Sequence, residues 1–163
     1  MILSSENLAV FAKEIQRLGI RLVLTNGCFD LLHIGHVRYL QQARSLGDFL
    51  LVAVNSDSSA RTLKGAKRPV NSQEDRAEIL AAIRCVDCVT IFDSLRATQV
   101  IRKVCPVLYV KGGDYTLDTL DQEETTALVE IGAEIRFIPR VLGYSTTSLI
   151  SRCGNAVWVG LHN

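Results

Sequence analysis

Charge of one sign, long apolar runs and aromatic rings are all scarce in this chain. Its 163 residues carry 18 Lys and Arg against 17 Asp and Glu, a formal net charge of +1. That balance offers no electrostatic footprint for nucleic acid and no polybasic patch for an anionic membrane. No apolar stretch approaches the roughly 18–20 residues of a membrane-spanning helix, and the strongest one, FLLVAV at 49–54, is strand-sized. The opening MILSSENLAVFAKE is short and acidic early, unlike a secretory signal, so the expected location is the cytoplasm. Cysteine is present but odd in number, at five, which argues against a disulfide framework in that compartment. Cys85 and Cys88 have metal-like spacing without a second pair. In a strand-like run they point to opposite faces, and they read as small buried hydrophobes.

What is abundant is apolar residues, at 48%, enough for one sizeable core and one domain over 1–163. No linker, repeat or low-complexity segment divides it. A first helix is expected over 4–18, capped by Ser4 or Ser5 and ended by Gly19. Strand-like runs follow at 20–25, 49–54, 88–92, 107–110 and 134–138. Helical patterns fall at 37–45, 73–83, 95–104 and 122–131, with a last helix beginning at STTSLI. Residues 55–70 read as a polar, basic loop. A tail, 153–163, reads as a packing strand or a dimer contact. The alternation predicts an α/β, Rossmann-like, doubly wound parallel sheet of about five strands with helices on both faces, its core spanning about 20–152. Ligands of such sheets sit beyond the carboxyl ends of the strands. The chemically suggestive loops all lie at such ends.

The segment TNGCFDLLHIGH, at 25–36, runs from a strand into a helix. Gly27 permits a tight turn and close backbone approach. A helix start offers unpaired N–H groups and positive dipole, which is an anion site. His33 and His36 are one turn apart on one face and can both donate to phosphate oxygens. Gly35 removes a side chain where a base or ribose would come close. The pattern points to nucleotidyl transfer, where an oxygen attacks the α-phosphorus in line and pyrophosphate leaves. Positioning, positive charge and Mg²⁺ bridging the phosphates then suffice, with no nucleophilic side chain. Asp30 is placed where it would cap this helix. Asn55 and Asp57, at a strand end, either line the site or make a turn. Arg76 and Asp87 read at most as a buried or dimer-side ion pair without a catalytic role.

GCFDLLHIGH resembles the HxGH signature of the cytidylyltransferase-like nucleotidyltransferases. VNSDSSARTLKGAKRPVNSQEDR (54–76), VKGGDY (110–115) and STT (145–147) narrow the resemblance to the adenylyltransferase domain of bacterial ADP-heptose synthesis. The resemblance covers about 22–152. It implies transfer of AMP from ATP to D-glycero-β-D-manno-heptose 1-phosphate, giving ADP-heptose for lipopolysaccharide core, by a stand-alone homodimeric transferase. It implies that His33, His36 and Lys64 act in catalysis. It places Thr25, Asn26, Gly27, Cys28, Phe29, Gly35, Lys111, Gly112, Gly113, Asp114, Arg140, Ser145, Thr146 and Thr147 around the nucleotide. Asp30, Asn55, Asp57, Lys64 and Arg68 fall to the sugar phosphate, Lys64 reaching over from a mobile loop and Asp30 sitting near the metal or orienting the histidine region.

One segment pulls elsewhere. RVLGYSTTSLI, with Arg140 five residues before Ser145, resembles the end of glycerol-3-phosphate cytidylyltransferases. A cytidylyltransferase for that or a similar small phosphate is therefore the enzymatic alternative. A nucleotide-binding regulator without catalysis is the alternative of another class. HIGH also occurs in class I aminoacyl-tRNA synthetases, but a KMSKS-like loop and room for a tRNA-binding domain are both missing here.

Overall fold

The computed structural model describes residues 1–113, 115–139, 141 and 143–154. Their centre is one sheet of six parallel strands in the order β1-β4-β3-β2-β5-β6. The strands are β1 (Ile2–Leu3), β2 (Leu22–Gly27), β3 (Phe49–Asn55), β4 (Cys88–Phe92), β5 (Leu108–Gly112) and β6 (Glu134–Ile138). Five match the expected runs closely. The sixth, β1, is a two-residue edge strand paired in register with Val89 and Thr90, too short to leave a periodic signal.

Strands of a parallel sheet are covered on both faces, so their sequences read as continuous apolar runs. Here alternate residues feed two cores. Leu22, Leu24, Leu51, Ala53, Cys88 and Tyr109 face one, packed by α1 (Leu8–Arg17), α5 (Thr98–Val104) and α6 (Gln122–Glu130). Val23, Leu50, Val52, Val54, Val89, Leu108 and Val110 face the other, against α2 (Ile34–Ser45) and α4 (Gln73–Ala81).

Three expectations need correction. The first helix starts at Leu8, not residue 4, with Asn7 at its cap position. The stretch read as a polar loop contains α3 (Asp57–Lys64), capped by the Ser56 hydroxyl accepting from the Ser59 N–H. Its buried residues are the small Ser59 and Ala60, so it shows no apolar stripe to read. And Arg76 is buried, but its partner is Asp57 at 2.7 Å, while Asp87 pairs with Arg44.

The strand order sets the place of the site. From β2 the chain moves to β3 and β4 on one side, then returns to β5 on the other. That reversal opens a crevice at the carboxyl ends of β2 and β5. The last helix, α7 (Thr146–Gly154), starts beside it. No helix among the described residues is long and apolar enough to cross a membrane.

Candidate active site

Beyond β2 the backbone turns sharply, with Phe29 at a φ of 45°. Left-handed backbone at an aromatic residue is costly and is kept only where the surroundings impose it. Here the Phe29 ring lies over Gly27, where a Cβ would come within 3.2 Å of it. The same ring meets His36 edge-on at 5.7 Å between centroids. Phe29 is thus the floor under the second histidine.

His33 is the cap residue of α2 and His36 stands in its first turn. Their rings stack with centroids 3.9 Å apart. The His33 N–H donates to His36 Nδ1 at 3.3 Å, which puts the His36 ring proton on Nε2 in the neutral form. Burial, and then the neighbouring His33, hold the His36 pKa down to about 4. The N–H groups of Ile34 and Gly35, in the first helical turn, have no place in the helical ladder. At Gly35 a Cβ would stand 2.9 Å from the His33 ring.

The start of α7 closes on this turn. Thr146 Oγ1 donates to the Leu31 carbonyl at 3.2 Å. Tyr144 stacks beside His33 at 6.4 Å, and the Arg38 guanidinium lies over Tyr144. Ser145 caps the helix by accepting from the Ser148 N–H at 3.0 Å, and Thr147 is exposed. Two helix N-termini therefore meet at the carboxyl end of β2, both favouring anions.

On the β3 side the acidic and basic residues are tied to one another. Asp30 is buried. Its Oδ1 accepts from the Val70 and Asn71 N–H groups, and its Oδ2 from Arg68 Nε. Asp30 and Arg68 thereby pin the segment after α3 to the histidine loop. Asn55 is buried and donates to Ser59 Oγ at 2.9 Å, while its carbonyl oxygen faces the Cys28 thiol. Asp57 opens α3 and holds Arg76, which also donates to the carbonyls of Cys28 and Asn71. Lys64 ends α3, exposed, rather than standing in a loop. Burial pushes the Cys28 thiol pKa up, opposed by the charges of Lys64 and then Arg76, with Arg68 also lowering it. The thiol is held protonated, and Lys64 lies within electrostatic reach of the motif loop.

On the β5 side Thr25, Asn26 and Lys111 join a network whose other members, Tyr39, Tyr109 and Glu124, sequence reading missed. Thr25 is buried and shares a short 2.6 Å contact with the Tyr39 hydroxyl, which donates on to the Val110 carbonyl. Asn26 Oδ1 accepts from Lys111 Nζ at 2.6 Å and lies 2.7 Å from the Tyr109 hydroxyl. Glu124, from the first turn of α6, lies 3.3 Å from Lys111 Nζ and accepts from the Ala97 N–H at 2.8 Å. In sequence Glu124 looks like ordinary helix-start acidity, beside Glu123 and the Asp121 cap. Tyr109 gave a weak signal, since a tyrosine in a buried strand needs a partner for its hydroxyl. Gly112 packs flat on the Tyr39 ring, which a Cβ would approach to 2.7 Å, and Gly113 turns with a φ of 93°. Asp114 and Arg140, both expected around the nucleotide, lie outside the described residues, as does most of the tail at 155–163.

Comparison with known proteins bears on what this arrangement does. Residues 24–152 match the family described as cytidylyltransferase-like. The chain is 50% identical over 134 residues to the bifunctional protein HldE of Geobacter sulfurreducens, covering 82% of this chain and 27% of that protein. It is 45% identical over 147 residues to the bifunctional protein HldE of Nitratiruptor, covering 90% and 30%. The chain thus spans less than a third of the length of these curated relatives. Among solved structures, a lipopolysaccharide core biosynthesis protein from Thermoplasma volcanium superposes with a TM-score of 0.62 at 27% identity, covering 76% of this chain and 98% of that one.

Proposed function

The chain belongs to the cytidylyltransferase-like family, and from that premise we propose that it transfers AMP from ATP to D-glycero-β-D-manno-heptose 1-phosphate. The products are ADP-heptose and pyrophosphate. The observation that carries the reading is the stacked His33–His36 pair at the start of α2, met by the start of α7 at the crevice between β2 and β5. The choice of heptose rests on the segments 54–76, 110–115 and 145–147 and on relatives at 45–50% identity.

The acceptor phosphate is already anionic, so no general base is needed. The task of the protein is to hold two anions in line and to meet the charge that develops at the α-phosphate. His36 donates through Nε2, and His33 shares the same oxygens. The Ile34 and Gly35 N–H groups and those at Ser145–Thr147 take the remaining phosphate oxygens. Lys64 and Arg68 approach from the β3 side and bind the sugar phosphate, with Asn55, Asp57 and Asp30 shaping that wall. Thr25, Asn26, Cys28, Phe29, Lys111 and Gly113 border the nucleotide, and Asp114 and Arg140 are assigned there as well.

Magnesium fits this site as a passenger of the triphosphate. Among the described residues no three His, Cys, Asp or Glu side chains converge on one point, and both Asp30 oxygens are already engaged. Bound to the phosphates, the ion would neutralise charge on the departing pyrophosphate. A homodimer is part of the same proposal, as the family resemblance implies, and a cytoplasmic location is proposed with it.

The test is pyrophosphate release with Mg²⁺, crossing ATP and CTP with heptose 1-phosphate and glycerol 3-phosphate. Release with ATP and the heptose alone is expected. Release with CTP and glycerol phosphate would overturn the substrate and leave the chemistry standing.

A further inference from the structure

Glu124 is 2% exposed, and Lys111 in front of it is 8% exposed. A desolvated ammonium tends to lose its proton, and burial is the leading cause that lowers the Lys111 pKa. The carboxylate of Glu124 opposes that loss. It is held from three sides: by the Ala97 N–H at 2.8 Å, the Tyr109 hydroxyl at 2.9 Å and the Asn26 amide at 3.4 Å. Those contacts tie the starts of α5 and α6 to the ends of β2 and β5. Asn26 Oδ1 and Glu124 take two of the three N–H groups of Lys111. Among the described residues the third has no acceptor. The Tyr109 and Tyr115 rings stand 5.4 and 5.2 Å from the ammonium, offering it π faces but no formal charge.

The proton count sharpens the point. The Tyr109 hydroxyl has one proton and two oxygens within reach, on Asn26 and on Glu124. Lys111 donates to the Asn26 oxygen, so the Tyr109 proton is free to go to the carboxylate. A Gln at 124 would present an N–H₂ or a neutral oxygen there, and the lysine would lose its ion-pair partner among the described residues. The other charges acting on Lys111 are Asp121, at the cap of α6, and Arg96, ahead of α5. They act in opposite directions.

We propose that Glu124 is a positioning residue: it keeps the Lys111 ammonium charged at the crevice between β2 and β5, so that its remaining N–H meets an anionic oxygen of the nucleotide. This rests on the nucleotidyltransferase reading above for the identity of that anion. A merely structural Glu124 would hold α5 and α6 in place, and its replacement would leave the pH dependence of nucleotide affinity as it is in the unsubstituted protein.

The experiment pairs two readouts on the full chain, each for the unsubstituted protein and for Glu124→Gln and Glu124→Asp. One is the NMR titration of the Lys111 Cε signal. The other is ATP affinity by calorimetry at pH 6 and pH 8. In the unsubstituted protein Lys111 is expected to be protonated at neutral pH, and finding it neutral there overturns the proposal even if neither variant folds. In Glu124→Gln the titration is expected to move to lower pH, with affinity falling about tenfold more at pH 8 than at pH 6. Glu124→Asp, which keeps the charge, is expected to restore the pH dependence of the unsubstituted protein. An unchanged Lys111 titration in Glu124→Gln, or equal losses at both pH values, overturns the role of Glu124 alone. No ATP binding by the unsubstituted protein would instead overturn the nucleotidyltransferase reading, and the anion with it.

Discussion

At the scale of single residues the site depends on one neutral imidazole. His36 titrates at about 4 in the folded protein, below its ordinary value of 6.5, because burial and then His33 oppose its charge. The unfolded chain therefore takes up the proton first as pH falls. This residue's effect on stability is absent above about pH 6.5 and grows more unfavourable down to about pH 4. Urea unfolding at pH 7 and pH 5 should show the loss, and His36→Asn should flatten it. A bound triphosphate reverses the balance by favouring imidazolium. Calorimetry of ATP binding near pH 6, in buffers of different ionisation heat, is expected to report net proton uptake. Release or no exchange would mean that His36 does not meet phosphate. Gly35 supplies a second residue-level prediction. Its replacement by Ala favours the helix by at most about 1 kcal/mol, yet its Cβ would press on the His33 ring at 2.9 Å. Turnover in Gly35→Ala should fall about a hundredfold while the unfolding midpoint moves little. Unimpaired turnover would show that the ring placement is not critical.

Among the elements, legibility followed hydrophobic content. Strands β2 to β5 announced themselves because most of their positions are buried and apolar, and the edge strand β6 through the apolar Ile135, Phe137 and Ile138. The histidine turn was legible because Asn-Gly, His-x-Gly-His and a helix start have a joint chemical meaning at a strand end. Helix α3 was hidden because it packs through Ser59 and Ala60, and its cap, Ser56, is as much a turn residue as a helix starter. The partner of Arg76 was hidden for a related reason: Asp57 sits on that unseen helix. Glu124 was hidden because first-turn acidity is expected on any helix, and only the tertiary fold buries it. Arg76 now carries an element-scale prediction. It joins α3, α4 and the start of the motif loop through Asp57, the Asn71 carbonyl and the Cys28 carbonyl. Its replacement by Ala removes a fully buried side chain, leaves those half-buried acceptors without their partner, and should cost about 3 kcal/mol. Urea titration measures it, and a cost below about 1 kcal/mol would show that the clamp is dispensable.

Across the whole molecule, the strand order was not written in any local pattern. Periodicity shows that strands and helices alternate, but which side of β2 receives β5 is settled by packing between distant elements. That choice makes the crevice. The proposed site is shared by β2, β5, α2 and α7, which meet only in the folded state, so a nucleotide bound there should stabilise the whole chain rather than one loop. A ligand at a hundred times its Kd adds about 2.7 kcal/mol, which for a protein of this size raises Tm by about 5–10 °C. ATP with Mg²⁺ is expected to give that shift in a thermal melt, and CTP a smaller one at the same concentration. The reverse order would move the base assignment to cytidine and give weight to the Arg140 segment. Equal small shifts with both nucleotides would mean that the crevice between β2 and β5 does not recognise a base at all, and that the histidine pair binds phosphate without nucleotide selectivity.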